Sequence, residues 1–201
     1  MGLLAVACNM KQRSAIVLIL LMTCAAQGQG TFIYDQQSSD ENLISGSVSI
    51  LANPSQSFTP ASSSIEFIRL ALQDGNWGNA LGATLYVNLR GGSVTGAVLA
   101  VSSSVSMPDS FFGVTNFYFS PGVTLIPKNV YYFQPVIQSG DAWIAAAYHY
   151  GYAGGMEFLG STPFPNGDLW FREGIVPEPS SLGFFLLGTA TFLAQRHRRQ
   201  G

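Results

Sequence analysis

Between residues 31 and 175, apolar and polar positions alternate with a period of two rather than 3.6. Residues 83–90 show this best: Ala83, Leu85, Val87 and Leu89 share one face, and Thr84, Tyr86, Asn88 and Arg90 the other. That pattern predicts a strand with one face on a core and one in water. The run 129–138 is β-branched and aromatic, with Tyr131, Phe133 and Ile137 on one face, and its Pro135 suggests an edge or a bulge. Further strands are predicted over Thr31–Gln36, Ile65–Leu72, Val98–Ser102, Thr115–Phe119, Trp143–Tyr150 and Asp168–Arg172. Turn signals separate them: Asp74-Gly75-Asn76, Gly91-Gly92, Pro108-Asp109, Ser120-Pro121-Gly122, Ser139-Gly140-Asp141, Gly154-Gly155 and Pro165-Asn166-Gly167. Short strands punctuated this often, with no amphipathic helix between them, predict an all-β fold. The expected form is an antiparallel β-sandwich of the jelly-roll kind over residues 29–175.

The two ends follow a different pattern. Lys11 and Arg13 precede the uncharged run Ala15–Met22, and small residues follow at Ala25, Ala26 and Gly28. This is the layout of a secretory signal peptide, expected over residues 1–28. Leu21-Met22-Thr23-Cys24 also resembles a lipobox, although Thr before the Cys fits that motif poorly. Both cysteines, Cys8 and Cys24, lie in this leader. The exported body is therefore expected to hold no disulfide, Cys-zinc site or Cys nucleophile. At the other end, Val176-Pro177-Glu178-Pro179 is followed by an apolar stretch from Leu182 to Ala194, and then by Arg196, His197, Arg198 and Arg199. By the positive-inside rule the basic groups at both ends stay on the cytoplasmic side, which leaves everything between them outside.

This tail resembles the PEP-CTERM sorting signal of Gram-negative bacteria. Val176, Pro177, Glu178 and Pro179 carry the motif, and Arg196, Arg198 and Arg199 form the basic stop over residues 176–201. The resemblance implies a membrane-embedded exosortase as partner, along with the export machinery and the inner membrane before processing. The chain would then reside at the cell surface or outside the cell, often in bacteria that make exopolysaccharide. One departure is length: residues 180–195 span about 24 Å as a helix, short of the roughly 30 Å hydrocarbon core. The central region resembles jelly-roll sandwiches of the galactose-binding or carbohydrate-binding-module type. The matching pieces are Gln56-Ser57-Phe58-Thr59-Pro60, Ile65–Leu72, Ala83–Arg90 and Val130–Gln138. Residues 31–37 and 168–172 are similar to the ends of other proteins bearing such tails, a group with no activity to transfer.

Charge narrows the function further. Charged residues are 10% of the chain, against about 25% in ordinary domains. Residues 31–176 hold ten acids and four bases, a net −6, which disfavours nucleic acid and anionic surfaces as partners. His149 is the only histidine in that span, so a multi-histidine metal site and a two-His facial triad are excluded. No G-x-S-x-G elbow accompanies it. Asp109 and Asp141 are the turn acids that a glycan-acting hydrolase would need, but turns favour Asp for local hydrogen bonding. No cofactor is expected, although Asp35, Asp40, Glu41 and Asp168 leave room for a structural Ca²⁺.

Aromatic side chains remain. Sugar rings expose C–H faces that stack on aromatic rings, while amides bond their hydroxyls. Trp77 between Asn76 and Asn79, together with Trp143 and Tyr150, are therefore the candidate ligand-binding residues, and Trp170 is expected in the core. The expected function is that of an exported, exosortase-sorted surface or matrix protein. Its role is structural or adhesive rather than enzymatic, with extracellular polysaccharide as a ligand. The alternative is a secreted hydrolase acting on glycans.

Overall fold

The structure, a computed structural model, describes residues 31–38, 46–148 and 151–177. Glu178, Pro179, Arg196, Arg198, Arg199, Tyr150, His149, Asp40, Glu41 and both cysteines lie outside the described residues. Ile33–Ile175 forms one compact unit. In chain order its strands are β1 (Ile33–Gln37), β2 (Val48–Ser49), β3 (Pro54–Phe58), β4 (Ser64–Asp74), β5 (Ala83–Gly91), β6 (Val98–Val101), β7 (Val105–Met107), β8 (Phe112–Thr124), β9 (Tyr131–Gly140), β10 (Trp143–Ala145), β11 (Ala147–Tyr148), β12 (Glu157–Leu159), β13 (Thr162–Phe164), β14 (Asp168–Leu169) and β15 (Phe171–Ile175). Among the described residues the one helical piece is a 3₁₀ turn, Ile50–Ala52, whose Leu51 N–H donates to Ser49 Oγ.

Two antiparallel sheets form the body. The first is built around β4. β8 pairs with it from Ser64 to Gln73. A strand has only two edges, so β15 and β10 share the other one, β15 over Phe67–Leu70 and β10 over Leu72–Asp74. β1 extends β15 and β2 extends β10. The second sheet runs β13-β12-β3-β9-β5-β6, with β7 also on β5. β11 and β14 make a separate two-stranded ribbon.

The alternation of residue types sets which face goes inward. Ile68, Leu70 and Leu72 of β4, Phe117 and Phe119 of β8, and Phe171 of β15 pack against Leu85, Val87 and Leu89 of β5, Phe58 of β3 and Phe133 of β9. This single shared core makes the two sheets a β-sandwich. The ring of Phe171 lies 5.1 Å from Phe133, 5.2 Å from Tyr152 and 6.4 Å from Phe58. On the outer face of the first sheet a smaller cluster gathers Ala71, Ala146 and Trp170, with Val114 against it. Arg69 and Arg172 stand directly opposite each other on this sheet. Like charges so placed repel. The Arg172 guanidinium lies over the rings of Tyr34 and Trp170, and Arg69 Nη1 donates to Tyr34 Oη at 2.7 Å. Such cation–π contact offsets part of the repulsion.

Two expected breaks turn out otherwise. Ser120-Pro121-Gly122 is not a turn between strands but an irregular stretch inside β8: register passes from Val123↔Ile65 to Tyr118↔Phe67 across it. Pro135 lies in β9, an interior strand, beyond the last residue paired with β3, where β5 alone is alongside. The bulge falls at Gln138, between the pairs Thr84↔Ser139 and Leu85↔Ile137. The predicted strand over Trp143–Tyr150 divides into β10 and β11, with Ala146 N–H turning to Ala71 O.

The ends of the body meet. Ile33 pairs with Ile175, so the chain enters and leaves at the same end of the β1–β15 pair. Gly174 lies between Tyr34 and Phe67, and a Cβ there would come within 1.9 Å of Ile33 O, so only glycine permits this closeness. From Phe67, beside Gly174, β4 runs seven residues to Asp74, about 23 Å at the usual rise. The loop that follows Asp74 is thus at the end of the sandwich opposite the termini.

Candidate functional site

At that far end three connections converge: residues 75–82 after β4, 108–111 between β7 and β8, and 141–142 between β9 and β10. Carboxylates tie them together. Asp74 Oδ1 accepts from Asn76 N–H at 2.7 Å, and Asp74 Oδ2 accepts from Ser110 N–H at 2.8 Å. Asp109 Oδ1 and Oδ2 accept from the N–H groups of Gly78 and Ala80, each at 2.9 Å. Asn79 Nδ2 donates to Asp141 Oδ2 at 2.7 Å, and Asn79 Oδ1 accepts from Leu81 N–H. Gly78 and Ala80 both have positive φ, at 77° and 63°. The loop holds this uncommon backbone shape because the two Asp109 oxygens clamp the amides on either side of Asn79.

Trp77 is carried by this clamped loop. Its Nε1–H donates to Asp74 O at 2.6 Å, which fixes the indole, and 57% of the side chain is exposed. Leu81 and Phe112 are also exposed at this end. The structure therefore brings together Asn76, Trp77, Asn79, Asp109 and Asp141. Asp109 sits at the surface: desolvation is the largest single influence and raises its pKa, but the Ala80 and Gly78 N–H bonds and the Ser110 hydroxyl together outweigh it and hold the carboxyl below the ordinary aspartate value.

Trp143 does not join them. It opens β10 immediately after this loop cluster, but it is 0% exposed and packs on Phe111 at 5.8 Å. It shares a face with Ala145, also buried, and that face looks into the core. Trp143 is therefore a core residue and not a ligand platform. Trp170 is buried as expected. Of the proposed Ca²⁺ ligands, Asp35 is occupied as a cap: its Oδ2 accepts from Ala61 and Ser62 N–H at 2.8 and 2.9 Å.

Sequence reasoning missed two buried acids. Glu173 on β15 is 0% exposed. The Asp35 carboxylate and the Gln36 N–H lie near it, yet neither meets hydrogen-bond geometry at its oxygens. Burial first, and then the charge of Asp35, push its pKa up to about 9. Glu157 on β12 is 4% exposed, and burial followed by the charge of Asp168 raises its pKa to about 7. Asp168 accepts from Gln56 Nε2 through Oδ1 and from Tyr152 N–H through Oδ2, both at 3.0 Å, while Gln56 Oε1 accepts from Leu169 N–H at 2.8 Å. Beside these groups an open cleft of about 410 Å³ is lined by Gly151, Tyr152, Pro165, Asn166 and Asp168. The sequence signal that marks them is weak: the nearest lysine or arginine in the chain to Glu157 is Arg172, so any burial of Glu157 leaves it without a neighbouring permanent cation in sequence.

No model of a protein family matches the chain, and no curated protein matches it. Among solved structures it is similar to one titled "Structure of infectious bursal disease virus Gx strain", at 14% identity and TM-score 0.28, covering 83% of this chain and 48% of that one. It is also similar to "Crystal structure of infectious bursal disease virus VP2 subviral particle", at 11% identity and TM-score 0.27, covering 76% of this chain and 38% of that one. The chain thus spans less than half the length of either structure.

Proposed function

We propose that the chain is an exported, exosortase-sorted protein of the cell surface or extracellular matrix, structural or adhesive in role, whose sandwich offers the Trp77 loop to polysaccharide. The tail motif of Pro177, Glu178 and Pro179 supports the sorting half of this reading. One observation carries the binding half: an exposed indole, held by its own N–H on a clamped loop, at the end of the body away from the termini. Asn76 and Asn79 flank it with amides suited to sugar hydroxyls. A rigid aromatic platform loses little entropy on binding, which makes stacking effective. The competing hydrolase reading rests on Asp109 and Asp141 and needs an acid with a proton to give, whereas the hydrogen bonds at Asp109 favour its charged form.

The test uses the full chain, its Trp77→Ala variant and a replacement of Pro177-Glu178-Pro179 by alanines. In native gels containing a panel of neutral polysaccharides, the parent chain is expected to be retarded in at least one. Trp77→Ala should bind that polysaccharide about tenfold more weakly, equivalent to about 1.4 kcal/mol, while melting at the parent temperature. In cell fractions the triple replacement should remain in the inner membrane at its unprocessed size. Absence of retardation with every polysaccharide defeats the binding half, and unchanged location and size of the triple replacement defeat the sorting half.

A further inference from the structure

We propose that the end of the sandwich carrying the termini docks on a lipid bilayer, seating Val98, Leu99, Ile126 and Val130 among the headgroups of the membrane that holds the tail. The inference rests on the sorting half of the function proposed above and not on its binding half. Three connections close this end: residues 59–63 between β3 and β4, 92–97 between β5 and β6, and 125–130 between β8 and β9. Hydrogen bonds place them there. Leu125 N–H donates to Ser63 O and Lys128 N–H to Pro60 O, both at 2.8 Å. The Ala61 and Ser62 N–H groups donate to Asp35, two residues after Ile33 on β1. Gly91, which opens the second connection, pairs with Tyr131, which closes the third.

Ile126 is 62% exposed, Leu99 49%, Val130 47% and Val98 43%. Single exposed aliphatics are ordinary, but four at one end of a body mark a contact surface. The third connection is braced in this shape: Leu125 is buried, Ile126 N–H donates to Tyr131 Oη at 2.9 Å, and Asn129 N–H returns to Ile126 O. Leu99 lies beside Gly91, its Cδ1 3.2 Å from where a Cβ would stand. Charge and chain length name the occupant. The three connections hold one charged residue, Lys128, whereas the three at the opposite end hold Asp109 and Asp141. Asp35 and Glu66, the acids nearest the docking end, stand on β1 and β4 rather than on its connections. An apolar rim with a lysine in it suits the headgroup boundary, where the aliphatics leave water and the ammonium meets phosphate. From Ile175 to Leu182, where the apolar stretch of the tail begins, is seven residues, at most about 25 Å fully extended. This end therefore stays within reach of the bilayer for as long as the tail holds the chain, and the Trp77 loop points the other way.

The test reconstitutes the full chain in vesicles of phosphatidylcholine and phosphatidylglycerol, about 4:1, with plain acyl chains or with chains brominated near the headgroup. Bromine quenches an indole that touches it. The parent should be unquenched, because Trp143 and Trp170 are buried in the body and Trp77 is at the opposite end. Ile126→Trp and Val130→Trp, which alter exposed side chains and should melt with the parent, should each lose about a quarter of their emission, the share of one indole in four. Chains that float with the vesicles while both variants stay unquenched overturn the inference and leave the sorting half standing. A variant whose emission shifts to the blue without quenching has its new indole covered by a second copy of the chain, which also overturns it. So does quenching of the parent equal to that of the variants, since another face then meets the lipid. Chains that do not float with the vesicles defeat the sorting half and this inference with it.

Discussion

Raising the pH from 5 to 9 should remove roughly 5 kcal/mol more from the folding free energy of the parent chain than from that of Glu173→Gln, in which the smaller loss from Glu157 remains. The reason lies in where Glu173 sits. It is fully buried on β15, between Gln36 of β1 and Ile68 of β4, with the Asp35 carboxylate near its own. Burial and that neighbour raise its pKa from 4.5 to about 9. Between those two values the folded chain holds a proton that the unfolded chain has released, so stability falls as pH rises through the window. Each pH unit costs about 1.36 kcal/mol, and four units give the figure above. Tyr152, the other group nearby, has its phenol pushed up to about 12, first by burial and then by the charges of Glu173, Asp35 and Asp168 against the lowering bond from Thr59 N–H. It stays protonated throughout the window and adds no slope. Glutamine has the shape of the protonated acid and does not titrate. Urea unfolding at a series of pH values checks this: parallel profiles for the parent and Glu173→Gln would show that Glu173 does not carry the effect.

Phe171→Ala should be the most damaging single truncation in the core. Phe171 is 0% exposed, and its ring touches Phe133 and Phe58 from the second sheet and Tyr152 from the connection before β12. Removing it leaves a cavity where the two sheets meet, at a cost of about 3–5 kcal/mol. For a body of this size that corresponds to a fall of about 10 °C in melting temperature. Phe171→Leu refills much of the space and should lose less than half as much. Alanine and leucine variants that both melt within about 2 °C of the parent would refute the placement of this ring at the centre of the core.

How much of this was legible beforehand differs by element. β5 was readable because four inward apolar residues alternate with four polar ones, and the structure buries Ala83, Leu85, Val87 and Leu89. β4 was readable instead as a short apolar run, Ile65–Leu72, closed by the turn signal Asp74-Gly75-Asn76, though it extends to Asp74. β12 and β13 were not, because three-residue strands are too short to show a period and Pro163 argues against one. Trp77 and Trp143 both border turns, and neighbouring composition alone does not separate an exposed indole from a buried one. The parity of Trp143 with Ala145 did carry that information. The joining of Asn79 to Asp141 was hidden by a separation of 62 residues. Glu157 and Glu173 were hidden because the sequence does not reveal which acids the fold encloses.

The closeness of Ile33 and Ile175 also has a mechanical side. If the tail holds the protein and a ligand tugs on the Trp77 loop, the pull runs lengthwise along β4 and β15. The rungs joining those strands at Phe67–Leu70 then share the strain together. Tension between the two termini would instead peel β1 from β15 one rung at a time, beginning at Ile33. The same body should therefore resist a tether at its tip far better than a tether at its two ends, a contrast that single-molecule stretching from the two attachment geometries would reveal.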